Sequence, residues 1–345
     1  MALPMFMKGV LCVDKEPKVI EVPVPQPGEN ELLLKVEAAG VNRADCMQAA
    51  GNYPPPPGAS ELLGLEVVGT VVKCGPNASR HPEGTRVMSI LAGGGYAQYC
   101  VVHERVAMAC PETWRGGEPA KSEELCAIPE TWSTAHQLLH LVGKAQENEV
   151  VVVHAGASGV GIAACQIAKH FTKAIAIVTC SASKMQAAKD AGAAAVVDRG
   201  DGTGWAAAVL EAANKEREAR GLPAKTGVEL VLDPVGASYC EQNCEILAMD
   251  GRWVVYGLMG GMTAPGPLLA KVLTKRIQIL GTTLRARTVD YKAELSDHVS
   301  SQILPLHVSG DFRAPVCKTF KLEEAADALK MMGESQNLGK IVLVP

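Results

Sequence analysis

Residues 150–164 read VVVVHAGASGVGIAA: apolar strand material, a turn of small residues, then sequence that favours helix. A strand buried on both faces of a parallel sheet is a continuous apolar run, and a dinucleotide-binding turn wants glycine at three places, G-x-G-x-x-G. The outer two are present as Gly156 and Gly161, whereas the middle position is Ser158. Gly156 permits the tight turn and Gly161 lets the helix pack against the strand. At the helix start, Gly159 and Val160 offer free N–H groups and a partial positive charge to a pyrophosphate. Ser158 costs some closeness of backbone approach but brings a hydroxyl that can donate to phosphate. A lone glycine-rich turn is weak evidence. This one follows a strand and opens a helix at the head of a strand–helix series, the setting that makes it credible.

Working outward, apolar strand-like runs recur at 174–180, 194–198, 228–236, 252–257 and 276–284, with helical stretches between them that include 205–219 and 239–248. Such alternation predicts a parallel sheet covered on both faces by helices. Upstream, ELLLKVEAAGV (31–41), LEVVGTVVKCG (65–75) and GYAQYCVVHERVAMAC (95–110) are short β-like runs. Between them lie loops such as GNYPPPPGAS (51–60), whose consecutive prolines suit neither a helix nor a central strand. The prediction is an α/β protein with a mostly-β domain at 1–126, a Rossmann domain at 127–284, and a return to the first domain at 285–345. A helix over 128–144 opens the middle segment, with Pro129 in its first turn.

The chain of 345 residues is long enough for two cores, and its 48% hydrophobic and 20% charged residues suit a globular protein. A net charge of −4 gives no reason to invoke nucleic acid or an anionic membrane. The run KEREAR (215–220) reads as a solvated helix face. The 11 cysteines form no CxxC pair, which points to reduced thiols rather than a disulfide scaffold. No stretch approaches a membrane span, so a cytoplasmic protein is expected. RIQILGTTL (276–284) reads as the last strand of the parallel sheet, apolar on both faces and poorly suited to a bare edge. It predicts pairing with a second copy, giving a homodimer or a dimer-based tetramer.

An NAD site usually carries an acidic residue about 20 residues past the turn, bonded to the ribose hydroxyl. Here Thr179 and Cys180 are followed by Ser181, Ala182, Ser183 and Lys184, with no carboxylate before Asp190. Hydroxyls and an ammonium suit a 2′-phosphate, so NADPH is the predicted cofactor.

The segments NRAD (42–45), GNYPPPPGAS, LGLEVVG (63–69), GGGYAQY (93–99), AIPETWSTAHQLLHL (127–141), HAGASGVG (154–161), DGRWVVYGLMGG (250–261) and NLGKIVL (337–343) together resemble the medium-chain dehydrogenase/reductase superfamily. Within it they resemble the zinc-free quinone oxidoreductases related to zeta-crystallin, most closely the p53-inducible branch. The likeness implies a GroES-like first domain. Zinc-dependent members bear a catalytic Cys near the position of Asn42 and a His in a G-H-E motif. Here that motif reads Gly64-Leu65-Glu66 and leucine cannot ligate, so no metal is expected. Without a Lewis acid the acceptor must already be electrophilic, such as a quinone or an activated alkene.

The resemblance implies Tyr53 at the substrate mouth as donor or stacking surface, and Asn42 toward the nicotinamide. It implies Thr134, Gly257, Leu258, Met259, Asn337 and Lys340 near the cofactor; Lys340 has the alternative of a surface charge before an edge strand. Arg199 stands where relatives carry a tyrosine near the adenine, and a guanidinium there can stack or pair with a 2′-phosphate. His136, His140 and His154 show no ligand grouping and read as structural, and Cys240 and Cys244 as core packing. NADPH-dependent quinone reduction is the expected activity. The alternatives are an enoyl or alkenal reductase, or a weakly catalytic NADPH-binding protein with a structural or RNA-binding role.

Overall fold

The computed structural model describes residues 3–264 and 266–345. They divide into two compact units, one of Met1–Ser133 with Leu284–Pro345 and the other of Thr134–Thr283. The first unit opens with a hairpin of β1 (Phe6–Val13) and β2 (Glu16–Pro23). Then come β3 (Glu31–Val41), helix α1 (Arg43–Ala49), β4 (Glu66–Cys74), β5 (Arg86–Ile90), β6 (Tyr99–His103) and β7 (Met108–Ala109). Strand β3 pairs antiparallel with both β4 and β6. Leu32, Leu33 and Leu34 are all buried, because a strand near the middle of a curved sheet is covered on both faces. Helices α2 (Ser122–Leu125) and α3 (Pro129–His136) close this stretch.

The second unit alternates strand and helix: β8 (Val150–His154), α4 (Gly159–Ile167), β9 (Ile175–Cys180), α5 (Met185–Asp190), β10 (Ala195–Asp198), α6 (Trp205–Ala219), β11 (Val228–Asp233), α7 (Cys240–Ile246), β12 (Leu247–Val255), α8 (Leu268–Lys275) and β13 (Gln278–Gly281). The six strands form one parallel sheet in the order β10-β9-β8-β11-β12-β13. Counted from β8 this is 3-2-1-4-5-6, the order of a doubly wound Rossmann sheet. The order reverses between β8 and β11, so the turn read first from the sequence stands at the switch point. Strand β8 is buried at every position, as its valine run requires. Cys240 and Cys244 lie in the core of this unit, as expected.

The chain returns to the first unit through α9 (Val289–His298), α10 (Leu304–Val308), β14 (Val316–Lys321), α11 (Ala325–Gly333) and β15 (Lys340–Val344). Strand β15 pairs with β3 and completes the GroES-like sheet. The KEREAR run is mostly exposed, as a solvated face should be, with one departure at Arg217. Arg217 is buried, and its Nη2 donates to Gly227 O at 2.9 Å and to Glu229 Oε2 at 2.9 Å. Among the described residues no helix is long and apolar enough to cross a membrane.

Candidate active site

In the Rossmann unit the candidate residues stand at the carboxyl ends of the parallel strands, where open α/β sheets bind ligands. After β8, Gly156 and Gly161 are held by contact. A Cβ on Gly156 would meet Val178 Cγ1 at 2.1 Å, and one on Gly161 would meet the Gly156 backbone at 2.5 Å. Ser158 is the N-cap of α4, and its Oγ accepts from Gly161 N at 3.2 Å. The hydroxyl proton is not used in that bond, so the serine caps the helix and can still donate outward. The first helical bond runs from Ile162 N to Ser158 O, which leaves the N–H groups of Gly159 and Val160 ahead of the ladder. This cradle fits a pyrophosphate.

After β9, Ser181 precedes a short helical turn ending at Lys184, whose N–H donates to Ser181 O at 2.9 Å. Arg199 follows the neighbouring strand β10, and its N–H donates to Cys180 O at 2.8 Å. The Cys180 thiol reports the gathering: burial and then Asp198 push it up, while Lys184 and Arg199 pull it down. Lys184 and Arg199 thus both lie within electrostatic reach of the Cys180 thiol at the end of β9. Asp198 was not anticipated, because it lies on the adjacent strand paired with Cys180 rather than downstream of the turn. Its carboxylate accepts from Gly200 N at 3.0 Å.

Beyond β12, Gly257, Leu258 and Met259 lie in a loop pinned to the one after β11: Met259 N donates to Pro234 O at 3.1 Å and Gly260 N to Val235 O at 2.7 Å. Leu258 and Met259 are partly exposed, at 42% and 47%. Thr134 begins this unit on α3. Beneath the strand ends runs a buried chain. His154 contacts Thr179 Oγ1 at 2.7 Å and Asn243 Oδ1 at 2.8 Å, while Asn243 Nδ2 and Trp253 Nε1 both donate to Asp233 Oδ2 at 2.9 Å. The structural reading of His154 holds.

The GroES-like unit contributes a cluster of buried charge. Asn42 Nδ2 donates to Glu66 Oε1 at 2.9 Å, and its Oδ1 accepts from Lys340 Nζ at 2.6 Å. The Lys340 ammonium also pairs directly with Glu66. Lys340 is 3% exposed, which rules out its reading as a surface charge. Both ends of the Asn42 carboxamide are thus engaged and its orientation is set. Leu65 is buried. Asn337, also buried, donates from Nδ2 to Gly339 O at 2.7 Å.

Three carboxyls crowd this cluster. Glu66 accepts from Glu130 N at 2.8 Å. Burial and then the Glu66 charge push the Glu130 carboxyl up to about 8, against the pull of Lys340 and Lys292. Asp45 is raised by burial to about 6, although Tyr96 Oη donates to it at 2.8 Å and Asn42 N at 2.7 Å. Tyr53 lies under a guanidinium: Arg285 Cζ is 5.2 Å from its ring centroid. Burial raises the Tyr53 phenol; Arg285 opposes the rise and Glu130 adds to it. Sequence reasoning missed Arg285, Lys292, Glu130 and Asp45. They stand singly in apolar or irregular segments, where no spacing signals that they meet.

A 3-2-1-4-5-6 sheet with a glycine-bounded turn at its switch point, joined to a GroES-like unit, defines a nucleotide-dependent oxidoreductase. The comparisons agree. The alcohol dehydrogenase GroES-like domain matches residues 28–112, and the zinc-binding dehydrogenase domain matches residues 159–301. The chain is 30% identical to the human synaptic vesicle membrane protein VAT-1 homolog, over 93% of this chain and 80% of that protein. It is 28% identical to Bos taurus quinone oxidoreductase-like protein 2 (97% and 92% covered) and 29% identical to Bos taurus prostaglandin reductase-3 (99% and 90%). Among solved structures, mycobacterial Rv1454c complexed with NADPH superposes with a TM-score of 0.80 at 29% identity, covering 98% of this chain and all of that one. The chain belongs to the medium-chain dehydrogenase/reductase family.

Proposed function

We propose that the protein is an NADPH-dependent quinone oxidoreductase. The observation that carries this reading is the chemistry at the two positions where zinc-dependent relatives place ligands. One is Asn42, its carboxamide held between Glu66 and Lys340; the other is Leu65, a hydrocarbon side chain. With no Lewis acid held there to polarise a simple ketone, the acceptor must be electrophilic on its own, and a quinone is. Lys184 and Arg199 at the end of β9 support NADPH over NADH, as does the NADPH bound to the mycobacterial relative.

When bound, the reduced nicotinamide supplies a hydride. In the Rossmann unit, Gly156, Ser158, Gly159, Val160 and Gly161 receive the pyrophosphate and Ser181, Lys184 and Arg199 the 2′-phosphate. Thr134, Gly257, Leu258 and Met259 border the nicotinamide. In the GroES-like unit, Tyr53 meets the acceptor and donates a proton, and Asn42, Asn337 and Lys340 serve the cofactor, Asn42 toward the nicotinamide. The test is anaerobic NADPH oxidation with naphthoquinones and a matched set of α,β-unsaturated carbonyls, on protein whose zinc content has been measured. Fast turnover of quinones with zinc far below one per chain supports the reading; preference for the alkenes replaces it. That second reading, an enoyl or alkenal reductase, is favoured by the relative named a prostaglandin reductase, which is 29% identical to this chain against 28% for the quinone oxidoreductase-like relative.

A further inference from the structure

Arg285 carries a charge that its own hydrogen bonds do not neutralise. It is 5% exposed, and its Nε donates to Ala92 O at 2.7 Å, its Nη1 to Tyr53 O at 3.1 Å and its Nη2 to Gln48 Oε1 at 2.8 Å. All three acceptors are neutral. Asp45 and Glu130 act on the guanidinium only through space. A second cation is tied to the same residue, since Lys292 Nζ donates to Arg285 O at 2.7 Å. Taking a cation out of water without a hydrogen-bonded carboxylate is costly, and the cost is offset where an anion forms beside it. The group placed to become that anion is the phenol of Tyr53, whose ring lies beneath the guanidinium.

We propose that Arg285 is the positioning residue for proton donation by Tyr53: it holds the Tyr53 loop through the backbone carbonyl and stabilises the phenolate that donation leaves. This rests on the oxidoreductase reading above. Hydride transfer delivers two electrons to the acceptor and leaves an oxyanion on it. The Tyr53 O–H bond then breaks, a new O–H bond forms on that oxyanion, and the phenolate recovers a proton from water. A preorganised cation beside the developing charge makes the exchange cheaper than it would be at the same buried phenol without Arg285, because it opposes the rise that burial imposes. Glu130 works in the opposite sense, since its carboxylate disfavours the phenolate.

The experiment places 3,5-difluorotyrosine at position 53 of the full chain and titrates it by fluorine NMR with no acceptor present. Arg285→Gln is expected to raise the phenol pKa by about one unit or more, and Glu130→Gln to lower it. A role confined to packing would not produce shifts of opposite sign. In turnover, Arg285→Gln should slow weak quinones more than strong ones, with NADPH affinity retained. An unmoved phenol in folded Arg285→Gln overturns the proposal. If that variant does not fold, Arg285→Lys decides: a phenol pKa near the parent's with a several-fold higher acceptor KM supports it, and an unchanged KM overturns it. The titration uses no acceptor, so it fails separately from the quinone reading, which fails when no quinone accelerates NADPH oxidation.

Discussion

Lys340 shows how much one side chain in the GroES-like unit has to balance. Its ammonium is the direct partner of Glu66, a fully buried carboxylate that also accepts from Asn42 and Glu130. Lys340→Met would leave that carboxylate beside Glu130 with no cation in contact. The expected loss is about 3–5 kcal/mol, read as a lower urea midpoint at unchanged slope. Glu130 and Asp45 make stability depend on pH, and the sign follows from their raised values of about 8 and about 6. Each binds its proton more tightly folded than unfolded, so its contribution is complete below the unfolded pKa and is lost as pH rises through the folded one. For Glu130 that window runs from the ordinary carboxylate value of 4.5 up to about 8. Melting temperatures of the parent should therefore decline across it, and Glu130→Gln should flatten the decline. At the other unit, Lys184→Ala should raise KM for NADPH and leave KM for NADH nearly unchanged, a difference of about 1–3 kcal/mol. Equal changes for both cofactors would remove Lys184 from the 2′-phosphate.

At the scale of elements, the β8–α4 turn depends on two glycines for different reasons. The Gly156 Cβ would strike the Val178 side chain, whereas the Gly161 Cβ would strike the backbone of Gly156, which has no rotamer to change. Gly161→Ala is thus expected to push α4 off β8 and abolish NADPH binding measured by fluorescence, with Gly156→Ala milder. Strand β13 carries the other element-scale expectation. Among the described residues it is the edge of the Rossmann sheet, paired only with β12, and its Ile279 is 43% exposed. The helix before it, α8, presents Leu269 and Leu273 at 81% and 78% exposure. An unpaired strand flanked by exposed leucines favours a second copy, related by a two-fold axis. We expect a dimer by light scattering at micromolar concentration and a monomer for Ile279→Lys. A parent that scatters as a 36.3 kDa particle would sink the idea.

For the whole molecule, the nucleotide-binding half was legible in the sequence because its signals are local. A valine run, a glycine-bounded turn and alternating helices lie within one stretch of chain, and parallel strands separated by helices leave few sheet orders open. The expectation of NADPH comes from the missing acid after β9, and the preference over NADH is what Lys184→Ala tests. Local signals stop where residues distant in the chain meet. Asp198 reaches the end of β9 from the next strand. Lys340 reaches Asn42 only because β15 pairs with β3, and Arg285 reaches Tyr53 across 232 residues. A lone lysine in NLGK or arginine in LRART carries no periodicity that tells a buried charge from a solvated one. What the sequence alone determined was the alternating strand–helix series of a Rossmann domain and the glycine-bounded turn that opens it, since backbone geometry and hydrophobic period act between near neighbours. Which charges were buried, and which cation faced which phenol, was decided only by tertiary structure, because burial and Coulomb energy depend on distance in space.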